Sequence, residues 1–471
     1  MKKLHILAAA SAALWLAGCA LPRPPASVAA PTPPQWYAPL PHNGTIADLS
    51  QWWRQVGDPL LAELVDAAQA LSPSVASARS RIEQARASRV AAGAALLPSL
   101  DGTASANRSN TQLGLAQAAS TAQVGLQAGW EIDLFGANRA AVDAAQARFE
   151  GDQAGWHEAR VSVAAETVNS YVALRTCGQQ LAVALNDAAS RAETARLTGI
   201  SAGAGFTAPA DAALARGSAA EGAARAKQQR ALCDVELKAL VALTGMAEPL
   251  LRQKVVAAPM IVAQDAMLSV ASLPAQVLAQ RPDVYRAERE VAAASAEVGA
   301  ARADRYPRLQ LSGTVGAGRI RVGGVDTDLN TWSIGPLAMT LPLFDGGRRA
   351  ANVDAAQVRY EEAATLYAAN VRQAVREVEQ ALVNLDSARG RDQDTRVAAE
   401  GYRTAFNATE VRYRNGLASL VELEDTRRTA LASETALVAL QRERIAAWVA
   451  LYRAVGGGWS RPEEGAATAQ R

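Results

Sequence analysis

Few side chains in this 471-residue sequence have the types and spacing that chemistry requires. Histidine occurs three times, as His5, His42 and His157, at spacings that cannot make a zinc cluster. Five methionines and so few imidazoles leave a dedicated copper or silver path without its soft ligands. Gly313 to Gly318 reads GTVGAG, superficially a phosphate loop, but the lysine is missing and the segment continues a period-two strand pattern. No nucleophile, base and orienting group come together, so neither an enzyme nor a cofactor is indicated. Two cysteines offer more. Cys177 and Cys233 are equidistant in sequence from Gly205. Antiparallel helices turning at that glycine would bring them level, and an oxidising compartment would join them in a disulfide; two free buried cysteines are the alternative.

The N-terminus supplies the compartment. Lys2 and Lys3 precede a short apolar run from Ile6 to Leu16 and then small residues, the pattern of an export signal over residues 1–18. Leu16, Ala17, Gly18 and Cys19 resemble the bacterial lipobox, in which the cysteine receives lipid and becomes the mature N-terminus. Ala20 stands where an inner-membrane retention aspartate would be in enterobacterial lipoproteins, which favours the outer membrane. Residues 19–58 are then a proline-rich, lipid-anchored segment, expected to run as an extended tether. No later stretch reaches about 20 apolar residues, the length of a transmembrane helix.

The rest of the chain is built twice. VDAAQAR from Val142 recurs as VDAAQVR from Val353, an offset of 211. The same offset maps Gly205 onto Gly416, Asp211 onto Glu422 and Gly245 onto Gly456. Upstream it is 209, so that Pro73 matches Pro282 and Pro98 matches Pro307. The repeats span 59–245 and 273–456, with a linker at 246–272 and a tail at 457–471. Each reads as helix, two strands, long helix, tight turn and shorter helix. Tyr360, Ala364, Tyr367, Val371, Ala374, Val378, Ala381 and Leu385 alternate steps of four and three, a coiled-coil seam, and Leu431, Val438, Ile445 and Tyr452 recur every seven residues on the returning helix. The long helix near 346–414 would run about 100 Å, a length that a tube wall needs and a compact globule does not.

Val124, Leu126, Ala128, Trp130, Ile132 and Leu134 alternate with Gly125, Gln127, Gly129, Glu131 and Asp133, giving a strand with one apolar and one polar face. Leu309, Leu311 and Val315 repeat the pattern, and parity changes around Gly335-Pro336, as a bulge would cause. The stretch from Leu100 to Arg108 is the faintest of the four strands. Four strands cannot close a barrel; two chains would give eight, a width that side chains fill, whereas three would give twelve and leave a channel. A homotrimer is expected. Basic and acidic residues nearly cancel, 48 against 46, and no basic stripe alternates with aromatics, which argues against nucleic acid as a partner.

TWSIGPLAMTLPLFDGGRR from Thr331 to Arg349, with a weaker copy from Gly129 to Arg139, resembles the strand-to-helix signature of the TolC-like outer-membrane efflux factors in their lipoprotein (NodT-type) branch. RYRNGLASLVELEDTRR, from Arg412 to Arg428, is similar to that family's second hairpin tip, and LPAQVLAQRPDVYRAEREV, from Leu273, to the opening of its second repeat. The fold class that the resemblance implies is mainly α with a small β part. Duplicated helical hairpins form an α-barrel, and four strands per chain join a trimeric 12-stranded transmembrane β-barrel in outer-membrane lipid. The implied function is a passive conduit of a tripartite efflux system, shut at its periplasmic end until it engages a periplasmic adaptor and an inner-membrane pump of resistance-nodulation-division type.

Carried over position by position, Val421 becomes an apolar constriction and Asp425 an acidic ring of three copies, where converging carboxylates repel one another and attract cations. Arg412 and Arg414 stand before the turn, placed to hold helices together through acidic partners. Gly205, Phe206, Gly416, Leu417, Ala418 and Ser419 match tips that contact the adaptor; the glycines would serve as helix ends regardless. The first tip departs from the family pattern, with Leu214 at the position matching Asp425. A lipid-anchored coiled-coil scaffold or adhesin would account for the helices and anchor but not for the paired strands.

Overall fold

Prolines and left-handed glycines cut the chain into two equivalent series of elements. The computed structural model describes residues 21–40, 52–54, 57–110, 118–258 and 274–461. The first series is α1 (Pro59–Leu71), α2 (Pro73–Ala94), β1 (Ser99–Asn110), β2 (Ala118–Ile132), α3 (Ala137–Gly203) and α4 (Pro209–Thr244). After α5 (Glu248–Ala257) come α6 (Pro274–Ala279), α7 (Pro282–Ala303), β3 (Arg308–Val322), β4 (Val325–Thr340), α8 (Arg348–Arg414) and α9 (Leu420–Ala454). Counterparts match: α2 and α7 have 22 residues each, α3 and α8 have 67 each, and α4 and α9 have 36 and 35. The second long helix starts at 348 rather than 346, because Gly346 and Gly347 take positive φ while the Asp345 carboxylate accepts from the amides of Gly347 and Arg349. Among the described residues no helix is long and apolar enough to cross a membrane.

Two compact units form, one from residues up to 30, 80–154 and 285–369, the other from 31–79, 155–284 and 370 onward. The first holds the antiparallel sheet, in the order β1-β2-β3-β4. Register sorts its faces. Leu126, Val315 and Trp332 form one cross-strand row, Trp130, Leu311 and Leu337 another, and Ile132, Leu309 and Met339 a third. The opposite face carries Gln127, Thr314 and Ser333 in a row, then Glu131 and Gln310. Leu311 pairs with Leu337 but Gly313 with Ile334, so Gly335 and Pro336 together face Ser312. This bulge is what keeps Ile334 and Leu337 on the same apolar face despite their odd spacing. At the helical end of the sheet, Phe135 stacks on Tyr306 at 4.9 Å and the Trp130 indole donates to the Leu96 carbonyl at 3.0 Å, while Leu343 and Phe344 are exposed. Such an aromatic fringe below an apolar band is the pattern of a bilayer boundary.

Small residues let the helices of this unit approach closely: Ala144 and Ala147 of α3 meet Ala293 and Ala296 of α7. Val291, Ala294 and Val298 of α7 bury themselves against Ala356, Tyr360 and Ala363 of α8. The N-terminal segment is held here as a bound strap and does not hang as a free tether. Carbonyls of Pro24 and Pro25 accept from Ser295 and Tyr360, and Arg23 pairs with Asp143 at 2.8 Å. Prolines lack an amide donor, so their carbonyls are what they offer a partner.

The second unit carries the main apolar core. Leu61, Leu64 and Val65 of α1 pack with Val168 and Tyr171 of α3, Leu240 of α4, Val378 and Leu382 of α8, and Leu451 and Tyr452 of α9. Asp58 caps α1 by accepting from the Leu60 amide and takes the Tyr171 hydroxyl at 2.6 Å. Burial, and then Asp58, raise the Tyr171 phenol above its ordinary pKa. Farther along the N-terminal segment, both oxygens of Glu379 accept from the Tyr37 and Ala38 amides at 2.8 Å. Gly456 follows α9 at φ +88, and a Cβ there would sit 2.0 Å from the Gln280 carbonyl, so only glycine fits. On α9 the expected stripe is only partly covered: Tyr452 is buried while Leu431, Val438 and Ile445 are half-buried, and the other buried positions are Leu420, Leu423, Arg427 and Ala430, then Leu440, Ala447, Trp448, Val449, Leu451 and Ala454.

The sheet's two faces make a direct test. Ile334→Arg, on the apolar face, should cost about 2–4 kcal/mol if that face meets hydrocarbon, and should deplete folded, heat-modifiable protein on gels of outer-membrane extracts. Ser333→Arg, one residue away on the polar face, should leave the yield unchanged.

Candidate gate at the hairpin tips

Both hairpins turn with the same backbone chemistry. The Phe206 amide donates to Ser201 and that of Gly205 to Ala202; the Leu417 amide donates to Arg412 and that of Gly416 to Tyr413. Each is a Schellman closure, with Gly205 at φ +81 and Gly416 at φ +74. The helices that follow start differently. Ser419 caps α9 by accepting from the Glu422 amide, whereas Ala208 offers no side-chain cap and Pro209 opens α4. Proline at the first helical position removes an amide that would otherwise lack a partner. Phe206 is 87% exposed and Leu417 69%, with Ser419 exposed and Ala418 half-buried, so both tips present apolar groups to their surroundings.

The residues that the resemblance assigns to a gate lie within the first turns around the second tip. Val421 is exposed, and the largely exposed Asp425 carboxylate pairs with Arg428 on its own helix. Arg412 bonds Glu422 at 2.7 Å and the Leu417 carbonyl at 3.1 Å, clasping α8 to α9 across the turn. Arg414 pairs with Glu410 at 3.3 Å, within α8. Among the described residues no group of histidine, cysteine, aspartate or glutamate is placed to hold a metal ion.

Behind these exposed groups lies a buried ionic network that the sequence did not announce. Ala184, Asp187, Arg191, Thr194 and Thr198 follow coiled-coil steps along α3, and all are buried. The Nε of Arg191 donates to Asp187 at 2.9 Å, and its Nη1 donates to Glu424 and to Ser218, each at 2.6 Å. Ser218 also donates to Glu424 at 2.8 Å. Arg427 pairs with Glu424 and donates to Thr194 at 2.9 Å and Ser190 at 3.1 Å; Ser190 in turn donates to Glu410. One turn closer to the tip, the Thr198 and Tyr413 hydroxyls are 2.8 Å apart. Arg427 is only 2% exposed, and burial lowers its pKa against the opposing pull of Glu424. One partial signal stood in the residue order: Leu420, Leu423, Arg427 and Ala430 keep seam spacing, which puts an arginine at a core position without naming its partners.

Farther from the tip, Cys177 of α3 and Cys233 of α4 are disulfide-bonded, with Cα atoms 5.4 Å apart. Cys19 lies outside the described residues.

An open sheet with one apolar and one polar face, in a chain that also forms two long helical hairpins, is the architecture of an outer-membrane channel component. The chain belongs to the outer membrane efflux protein family, whose model matches residues 64–246 and 273–457, and members of that family are channels and not enzymes. It is 30% identical to outer membrane protein OprJ of Pseudomonas aeruginosa over 95% of this chain and 94% of that one. To the solvent efflux pump outer membrane protein SrpC of Pseudomonas putida it is 29% identical, covering 95% and 97%. The structure of the outer-membrane channel OprN superimposes with a TM-score of 0.83 at 28% identity, over 94% of this chain and 99% of that one. The fold is therefore the duplicated α-barrel and β-barrel type, and the protein resides in the outer membrane.

Two measurements probe this site. Arg427→Ala should destabilise the helical unit by about 3 kcal/mol, the scale for breaking a buried ion pair, lowering its midpoint in thermal circular dichroism, while Asp425→Ala should leave the midpoint in place. Thiol labelling of the mature protein, denatured without reductant, should find neither Cys177 nor Cys233 free.

Proposed function

We propose that three copies of this chain assemble into the outer-membrane conduit of a tripartite efflux system, resting shut at the hairpin tips and opening on engagement with a periplasmic adaptor and an inner-membrane pump. The observation that carries this reading is the unfinished sheet. Among the described residues β1 pairs only with β2, and β4 only with β3, leaving edges of 12 and 16 residues. Joining β4 of one copy to β1 of the next closes three sheets into twelve strands, wide enough for an aqueous channel. The exposure of α2 points the same way. Ala78 is its one buried residue, whereas its repeat counterpart α7 is covered along its length, so α2 has a face for a neighbouring copy. The relative named as a pump's outer membrane protein is consistent with a pump partner, of resistance-nodulation-division type on the family resemblance.

In this assembly Val421 and Asp425 face the axis as an apolar constriction and a ring of three carboxylates, with Arg412 and Arg414 steadying the helices that carry them. Phe206, Leu417, Ala418 and Ser419, turned out by Gly205 and Gly416, meet the adaptor. Lipid on Cys19 holds the N-terminal strap at the membrane. The channel supplies no energy and selects little; the exported compounds are chosen by the pump.

Purified trimers in planar bilayers should conduct rarely as they stand and frequently as Asp425→Ala, with weakened preference for cations. Trimers that never conduct in either form would refute the reading. Palmitate labelling in cells should mark the parent protein and vanish in Cys19→Ser.

A further inference from the structure

Charge is sorted along the sheet as well as across it. Beyond the row of Leu126, Val315 and Trp332, toward the turn between β3 and β4, the described strands carry five charged residues: Arg108, Arg319, Arg321, Asp326 and Asp328. All five share the apolar face. Register puts Arg321 between Ser120 and Asp326, with Arg108 beyond Ser120, and sets Arg319 beside Asp328 in the neighbouring row. The opposite face at this level is uncharged, as in the row of Asn107, Thr121, Ile320 and Thr327. Charges placed for solubility, or to line a pore, would not keep to the side that bears Trp332 and Ile334. Height accounts for the choice. The ten steps from Leu309, in the row nearest the helices, to Arg319 cover about 33 Å of strand, or about 25 Å of height at the tilt of a closed barrel, which is the height of the apolar band in membrane barrels. The arginines stand where hydrocarbon ends and headgroups begin. We infer that this outward rim, built on Arg108, Arg319 and Arg321, is a docking surface for phosphate-bearing lipid headgroups of the outer leaflet. The inference rests on the channel reading, which sets this end of the sheet outside the cell, and adds a lipid partner to it.

The geometry of the cluster suits an anion with several oxygens. Arg319 donates through Nε to Asp328 at 2.9 Å, and Arg321 through Nε and Nη2 to Asp326 at 2.6 and 2.7 Å. These bonds occupy a minority of the N–H groups on each guanidinium, and both side chains stay more than 60% exposed, so each fork keeps donors turned to its surroundings. Ion pairs this exposed add little to stability, so zipping β3 to β4 is a weak reason for them. What the aspartates do is hold the two forks upright in their rows. Arg108, opposite Ser120, adds a charge outside both pairs. Three arginines against two aspartates leave the rim positive, and three copies would repeat that patch around the barrel. A phosphate takes paired N–H bonds from an arginine, which suits it to this surface better than a neutral headgroup.

Native mass spectrometry of the purified mature protein, with lipid titrated in, tests this. Parent trimers should hold diphosphorylated lipid A about tenfold more tightly than the same lipid stripped of both phosphates, and millimolar inorganic phosphate should not displace it. Arg319→Gln with Arg321→Gln should erase most of that preference, and adding Arg108→Gln the rest. Arg308→Gln, at the helical end of β3 on the polar face, should leave it unchanged. Asp326→Asn with Asp328→Asn separates lipid docking from strand pairing, because it breaks the same two ion pairs yet keeps the arginines; the preference should persist or grow. Equal losses in the arginine and aspartate variants would overturn the inference, as would a parent indifferent to the lipid's phosphates, or displacement by inorganic phosphate, which would mark a site for free anions only. Heat-modifiability on gels reports barrel formation separately. A parent that never forms a heat-modifiable barrel refutes the channel reading and this inference with it, whereas well-formed trimers blind to lipid phosphate overturn the inference alone.

Discussion

In a folded protein most of a helix's stability comes from covering one stripe along it and not from propensity, and here two helices of 67 residues each need that cover. That requirement organises the chain. α8 meets it with Tyr360 and Ala363 against α7, then Val378, Leu382 and Leu385 in the core of the second unit, then Phe406 beside the tip. Because each covered position recurs after three or four residues, the shorter helices that supply the cover must keep the same phase. A register so long leaves little freedom to insert or delete, which explains why the two repeats agree in helix length to within a residue.

The chemistry of the stripe changes along its length. Near α1 it is leucine, valine and tyrosine; beside the tips it turns to aspartate, arginine and threonine. Apolar residues of similar volume would pack at least as stably as a buried ion-pair network. What the charges add is discrimination. Arg191 satisfies Asp187, Ser218 and Glu424 in one arrangement only, so a slip of one turn leaves several groups unmatched at once. An apolar seam would tolerate such a slip far better, and at the end of two long levers a small slip is a large displacement.

Much of this was legible in residue order. The offset between repeats located the turns at Gly205 and Gly416, and alternation located three of the four strands; the faint fourth, β1, has small side chains and gains its place from pairing with β2. The bulge was readable because a proline interrupts an otherwise regular alternation. The ionic seam was not, since charges three and four apart on a helix usually describe a solvated face, and only a partner helix distant in sequence makes them core. The strap escaped for a related reason. Its prolines announce an extended path but not that carbonyls along it will meet Ser295 and Tyr360. The unequal burial of α2 and α7 had a trace in the residues, since buried Ala293, Ser295 and Val298 of α7 stand where α2 has Gln84, Arg86 and Arg89.

The open sheet carries one last implication, for the journey and not the destination. An unpaired strand edge will accept any other edge it meets, including that of an identical chain in the wrong order. With edges on both β1 and β4, a single copy crossing the periplasm has two such templates, flanked by an apolar face with Trp332 and Ile334 fully displayed. Such a sheet is protected only once each edge is paired or covered and its apolar face meets lipid. The hairpins can fold early on their own seams; the strands have to wait.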